Sequence, residues 1–296
     1  MAERFADTGS VAGRLLAAGY LADEGIADAV FLADRLEKPV LVEGPAGVGK
    51  TSLAAAVASV TGARLLRLQC YEGLDEAKAL YEWNYRKQLL RIQAAGDQSG
   101  DQSWERAQGD IFTEDFLLER PLLAAIRAAD PVVLLIDEVD RVEAETEALL
   151  LEVLSEFQVS VPELGTMTAV QRPLVFLTSN GTRELSEALK RRCLFLHVAY
   201  PSPAREEEII RLHVPELGGA LGAQVARLVH RIRRLDLRKH PSISETIDWA
   251  KTLHVLGVTQ LHESVINRTL PVLLKHQADI ELTRDKLGLL PAAPKG

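Results

Sequence analysis

The stretch VLVEGPAGVGKTSLAAAVA, Val40 to Ala58, constrains this chain more than any other. A short apolar run reaches a glycine-rich turn, then Lys-Thr-Ser, then an alanine-rich segment of helical character. Gly44-Pro45-Ala46-Gly47-Val48-Gly49-Lys50-Thr51 fits G-x-x-x-x-G-K-[ST] in full and sits between a strand and a helix. Both features separate it from an ordinary glycine turn. Glycines let backbone N–H groups turn inward around phosphates, and the helix N-terminus adds a positive dipole end there. In such a loop Lys50 reaches the β- and γ-phosphates and the Thr51 hydroxyl ligates Mg²⁺, with Ser52 closing the binding segment. The loop alone suits a kinase, a GTPase or a transporter subunit equally. The rest of the chain must say what the triphosphate is for.

VVLLIDEVDR supplies the second half of such a site. Asp137, at the end of an apolar strand, is placed to bind Mg²⁺ through water, and Glu138 to orient or deprotonate an attacking water. The adjacent Glu favours hydrolysis over transfer to an acceptor. LVFLTSN ends another buried strand at Asn180. Its amide suits a γ-phosphate or a water, and Thr178, Ser179 and Asn180 equally suit a helix cap. ALKRRCLF puts Arg191 and Arg192 at a helix end. Cations are favoured there by the dipole, and an arginine finger, a group that stabilises transition-state charge, has the same appearance. RIRRLDLRKH (231–240) is the most basic patch, read as a solvated helix face or as a partner or phosphate contact.

Hydrophobic periodicity gives the frame. Residues 12–37 read as helix with breaks near Gly19 and Asp23–Gly25, 39–44 as a short strand and 50–61 as a helix. Residues 63–70 read as a strand offering Leu65, Leu68 and Cys70 for burial. A charged, aromatic segment fills 71–95 and a polar loop 96–110. Residues 112–129 read as a helix interrupted near Pro121, and 131–140 as a central parallel strand. A helix at 143–157, a hairpin-like piece, a strand at 174–180, a helix at 183–191 and a strand at 193–201 follow. Alternating strands and helices argue for an open, mostly parallel α/β sheet. From Pro203 the strands stop and four amphipathic helices follow, so the sequence divides into an α/β core, 1–202, and a small helical domain, 203–296, with LPAAPKG expected to be poorly ordered.

Composition narrows the function classes. The 296 residues are 47% apolar and 26% charged, as in an ordinary soluble globular protein. A net charge of −8 argues against a nucleic-acid-coating surface. Cys70 and Cys193 match no zinc or redox spacing, no run is long enough to span a membrane, and the charged N-terminus does not read as a signal peptide. A cytoplasmic location is expected.

Together these residues resemble an AAA+ ATPase of the MoxR branch, over nearly the whole chain. GYLADEGIADAVFLADRLEKPVLVEGPAGVGKTSLA is similar to the MoxR opening, LLIDEVDR to its Walker B stretch and FLTSN to its sensor 1 strand. The resemblance implies that Asn180 is the sensor and that RRC holds the arginine finger, Arg192 first and Arg191 second. QCYEGLDEAKALYEWNYRKQLL, FQVSVPELGTM and PSISETIDWAKTL resemble the CoxD-like subgroup. That likeness implies ATP and Mg²⁺ as cofactors and an ATP-hydrolysing, chaperone-like remodeller built as a hexameric ring. It also implies a partner with a von Willebrand factor A domain and a metalloenzyme client of the molybdenum-containing carbon monoxide dehydrogenase type. The family's sensor 2 arginine is missing: the matching stretch reads Ser242-Ile243-Ser244-Glu245, with Arg238 or Lys239 upstream as substitutes. The alternative is an AAA+ nucleic-acid motor or restriction-type NTPase. Against it stand the acidic balance and the lack of an appended DNA-binding motif.

Overall fold

A computed structural model describes residues 4–95 and 111–289. The polar loop expected at 96–110 and the tail LPAAPKG lie outside the described residues. Five parallel strands, numbered with all others in chain order, build the main sheet: β1 (Val40–Glu43), β2 (Arg64–Gln69), β5 (Val132–Asp137), β8 (Leu174–Ser179) and β9 (Leu194–His197). Their order is β2-β5-β8-β1-β9. β5 and β8 are buried at every residue, which is why they read as unbroken apolar runs rather than alternating ones. Gln69 stands opposite Asp137, and Glu43 opposite both Ser179 and His197. The polar carboxyl ends of the strands therefore finish level.

The chain divides into two compact units, Met1–Glu43 with Lys50–His197, and Gly44–Gly49 with Val198–Gly296. In the first unit α1 (Thr8–Ala17) starts on an Asp7–Ser10 capping box and α2 (Glu24–Leu36) on Asp23. Gly19, at φ +78°, makes the break between them. α3 (Lys50–Thr61) follows the glycine loop. The segment after β2 holds α4 (Glu76–Ala79), β3 (Tyr81–Trp83) and α5 (Tyr85–Ala95). β3 pairs antiparallel with β4 (Leu117–Glu119), and β6 (Gln158–Val161) with β7 (Gly165–Thr168). α6 (Pro121–Arg127), α7 (Ala144–Glu156) and α8 (Glu187–Arg192) complete the unit. Leu41, Leu134, Ile136, Val175 and Leu177 lie in its core.

Three expectations change here. Residues 112–120 are not helix: a 3₁₀ turn, Glu114–Phe116, leads into β4, and the helix begins only at Pro121, a residue suited to a first helical position. Leu65 is 37% exposed. Side chains alternate along a strand, so Leu65 faces away from the side that Leu66, Leu68 and Cys70 share. The helix expected at 183–191 begins at Glu187, where Ser186 caps it.

The second unit carries α9 (Pro203–His213), α10 (Gly219–Arg233), α11 (Ile243–Val255), α12 (Glu263–Leu273) and a fifth helix, α13 (Gln277–Lys286), that the sequence pattern did not offer. α13 is strongly polar along its length and buries only Asp279, Ile280 and Thr283, which gives it a weak apolar stripe. Fully buried Trp249 satisfies its indole N–H on Thr269 Oγ1 at 2.8 Å. Where the sequence puts a boundary at 202, the structure groups Val198–Ser202 and the Gly44–Gly49 loop with these helices. The basic patch is not uniformly solvated either. Arg233 makes a bidentate pair with fully buried Glu206 at 2.6 and 2.7 Å, while its Nε donates to Pro241 O.

Removing one partner of a buried, hydrogen-bonded pair strands the other charge. Arg233→Ala should therefore cost about 3–5 kcal/mol of stability, and Arg233→Met with Glu206→Leu should recover most of it. Denaturant unfolding followed by circular dichroism measures both; a loss well under about 1 kcal/mol for the single change would contradict this assignment. Burial pushes the thiols of Cys70 and Cys193 up to about 12, Cys70 with further help from Asp137, Asp140 and Glu138. A thiol is nucleophilic only as thiolate, so both should react slowly with an aromatic disulfide reagent at pH 8 and faster as pH rises toward that value. Rapid stoichiometric labelling of the folded protein would count against this.

Candidate functional site

In the first unit, five of the residues singled out in the sequence converge. Lys50, the first residue of α3, is 6% exposed and donates from Nζ to Asn180 Oδ1 at 2.9 Å. Burial draws its ammonium below the usual lysine range, while Asp140, Asp137, Glu138 and Glu43 push the other way. Asn180 Nδ2 in turn donates to Glu138 Oε1 at 3.4 Å. The Thr51 hydroxyl donates to Asp137 Oδ1 at 3.0 Å, and the Thr178 hydroxyl donates to the same oxygen at 2.5 Å. Asp137 is only 3% exposed, so these bonds replace water.

Glu138 sits just beyond β5 with φ +58° and ψ +49°, a left-handed conformation that costs a non-glycine residue about 1 kcal/mol or more. Its N–H donates to Thr178 Oγ1 at 2.9 Å, which holds that turn. The carboxylate is also met by Gln69 Nε2 and by Arg141 Nε, both at 3.1 Å from Oε2.

Sequence reasoning missed four members of this network: Arg67, Gln69, Asp140 and the bridging role of Thr178. Arg67 Nη2 lies 2.5 Å from Asp137 Oδ2 and 2.5 Å from Gln69 Oε1. Asp140 Oδ2 accepts from the N–H groups of Asn180 and Thr182 and from the Thr182 hydroxyl. Burial alone would raise the Asp140 pKa, yet these bonds outweigh it and hold the carboxyl below its ordinary value. The last residue of IDEVD thus fixes the loop that presents Asn180. The spacing of that motif was the only available signal for it.

Arg191 and Arg192 stand apart from the cluster. Both are exposed at the C-terminal end of α8, where Arg192 donates to Ser155 Oγ at 2.5 Å and to Ala188 O at 3.1 Å. Ser52 is exposed on α3.

In the second unit, the Gly44–Gly49 turn has its own partners. A Cβ on Gly47 would stand 2.2 Å from Ser242 Cβ, and one on Gly44 2.0 Å from Val198 O, so neither position accepts a side chain. Gly47 O accepts from Ile243 N at 2.9 Å and Ala46 O from Tyr200 Oη at 3.0 Å. Pro45 and Ala46 are exposed, whereas Val48 is buried. Ser242 and Glu245 form the capping box of α11. Of the two candidate substitutes for a sensor 2 arginine, Arg238 and Lys239 each donate a backbone N–H to Asp279. Lys239 Nζ additionally contacts Glu245 at 3.3 Å. The Arg233 guanidinium stacks over the Tyr200 ring at 4.5 Å, and the Tyr200 hydroxyl is the donor to Ala46 O.

Among the described residues, no group of three or more His, Cys, Asp and Glu side chains is placed to hold a metal ion. A phosphate-bound Mg²⁺ needs less: it keeps several waters and takes one or two carboxylates besides phosphate oxygens. The Thr51–Asp137 hydrogen bond brings together one hydroxyl and one buried carboxylate, a donor set that fits that demand. Among the described residues no helix is long and apolar enough to cross a membrane.

Known proteins share the family and the fold of this chain. Uncharacterized proteins from two Staphylococcus aureus strains are 28% and 27% identical to the chain over 184 residues, 58% of this chain and 59% of theirs. The chain therefore spans about three-fifths of the length of these curated relatives. A solved structure of a mutant RuvB from Thermotoga maritima has a TM-score of 0.51 at 17% identity, covering 86% of this chain and 70% of that one, a likeness of fold. The family model for the AAA domain (dynein-related subfamily) matches residues 39–193, more than half of the sequence, and the chain belongs to that AAA family.

Proposed function

We propose that the chain is an ATP-hydrolysing remodelling ATPase of the MoxR type. The observation that carries this reading is the hydrogen-bonded cluster of Lys50, Thr51, Asp137, Glu138 and Asn180 at the carboxyl ends of β5 and β8. Bound ATP and Mg²⁺ would supply the cleavable phosphoanhydride and a Lewis acid. The protein's share is positioning and charge. Backbone N–H groups of the Gly44–Gly49 turn hold phosphates, and Lys50 neutralises charge on the β- and γ-phosphates. Thr51 and Asp137 would hold the metal. Glu138 orients the attacking water and accepts its proton, with Asn180 fixing water or γ-phosphate. Residues 203–296 form a helical lid domain that follows, in sequence, an α/β core of residues 1–202.

Arg192, with Arg191 second, acts as the finger on a neighbour's nucleotide in a hexameric ring. Exposure of both at the end of α8 suits a group that works outside its own chain. Hydrolysis moves the segments 71–95 and 158–170 against a client or adaptor. In support, α5 leaves Tyr85, Leu89 and Leu90 exposed, an apolar display that often marks contact surfaces. The CoxD-like motifs favour a cytoplasmic role in maturation of a molybdenum-type metalloenzyme, with a partner bearing a von Willebrand factor A domain.

Glu138→Gln should lower ATP turnover by at least about a hundredfold while ATP still binds. Steady-state phosphate release and equilibrium binding test this, and normal turnover would remove Glu138 from its role. Capture of partners by the ATP-locked protein tests the client reading. DNA-stimulated turnover with steep salt dependence would instead favour the nucleic-acid motor. Mixing Arg192→Ala subunits with Lys50→Ala subunits should restore part of the lost activity, since each supplies what the other lacks. Assembled mixed rings with no recovery would place the finger elsewhere.

A further inference from the structure

Buried Asp137 is met by a cation that the loop and strand motifs do not include. Its Oδ1 takes the hydroxyls of Thr51 and Thr178, and its Oδ2 takes the Arg67 guanidinium at 2.5 Å. We propose that Arg67 is a positioning residue that competes with the divalent cation for the Asp137 carboxylate and so sets how tightly the metal binds. The inference rests on the reading of Asp137 as the metal-holding carboxylate.

Three observations carry it. A carboxylate with 4% of its side chain exposed needs a counter-charge, and hydroxyls alone do not provide one. Arg67 provides a full charge from the edge strand β2, directly beside β5. Its side chain is 52% exposed, so the guanidinium can return to water when a metal arrives, which a buried arginine could not do cheaply. Finally, the same Nη2 contacts Gln69 Oε1, and Gln69 Nε2 reaches Glu138 Oε2. Departure of Arg67 thereby loosens one tie on Glu138 as the metal takes Asp137.

A guanidinium and a divalent cation that draw on one carboxylate repel each other, so each lowers the other's affinity by the same factor. Removing Arg67 should therefore tighten the metal.

Mn²⁺ is the probe, titrated into the full chain with saturating ADP and followed by the electron paramagnetic resonance signal of free Mn²⁺. Arg67→Gln should lower the Mn²⁺ dissociation constant about fivefold, the upper range for a half-exposed ion pair. Arg67→Lys, which keeps the charge, should stay close to the parent. Adding Asp137→Asn to Arg67→Gln should abolish the gain. Arg67→Met replaces the Gln variant if circular dichroism shows that Gln impairs folding. Unchanged or weaker Mn²⁺ binding in a folded Arg67→Gln or Arg67→Met protein overturns the proposal, because Arg67 would then merely support Asp137. If Asp137→Asn alone binds Mn²⁺ like the parent, the metal reading of Asp137 fails first. If Asp137→Asn weakens binding and Arg67→Gln does not tighten it, only the competition fails.

Discussion

A carboxylate at the end of a strand buried at every residue must find its partners inside the protein. Asp137 is that carboxylate, and much of the first unit's arrangement follows from it. Its partners come from the first turn of α3, from β8 on one side and from β2 on the other. The order β2-β5-β8 is what makes these three contacts simultaneous. A sheet with another order would leave the charge unpaired, at a cost of several kcal/mol. Asp140 repeats the logic a turn later, where its bonds to Asn180 and Thr182 bind the end of β8 to the end of β5.

The second unit meets the same demand with different residues. Glu206 is fully buried and neutralised by Arg233, which also spans to Pro241 and stacks on Tyr200. Tyr200 and Ile243 then take two carbonyls of the glycine turn. Gly44 and Gly47 thus answer to close neighbours in the protein as well as to the phosphates their motif implies. Ser242 caps α11, and its Cβ stands 2.2 Å from where a Cβ on Gly47 would be, so the close approach of the glycine turn to this cap depends on the missing side chain of Gly47.

What the sequence reveals is what neighbouring residues share. The strand, loop and helix around Lys50 are local, and so are the apolar runs ending at Asp137 and Asn180. Each was legible because burial on both faces leaves no polar interruption. Arg67 and Gln69 were not legible, because nothing in ARLLRLQC says that β2 pairs with β5. Their role depends on strand order, a non-local property. Leu65 misled because its apolar side chain suggested burial, whereas alternation puts it on the face opposite Leu68 and Cys70, the more exposed face of an edge strand. Residues 112–120 misled because their mix of leucine and acidic residues suits a helix in isolation, whereas pairing of β4 with β3 overrides that preference. α13 escaped notice because its buried residues include Asp279 and Thr283, polar groups that hydropathy assigns to the surface.

The left-handed backbone at Glu138 has one more consequence. Glycine would relax that turn, and it would also delete the carboxylate the turn presents. Backbone ease and side-chain chemistry pull in opposite directions at this one position, and the Thr178 hydroxyl is the arbiter, since it holds the Glu138 N–H and the Asp137 oxygen at once. A single hydroxyl therefore touches two adjacent acids, one through its carboxylate and one through its backbone, and any shift of β8 against β5 moves that shared contact for both at once.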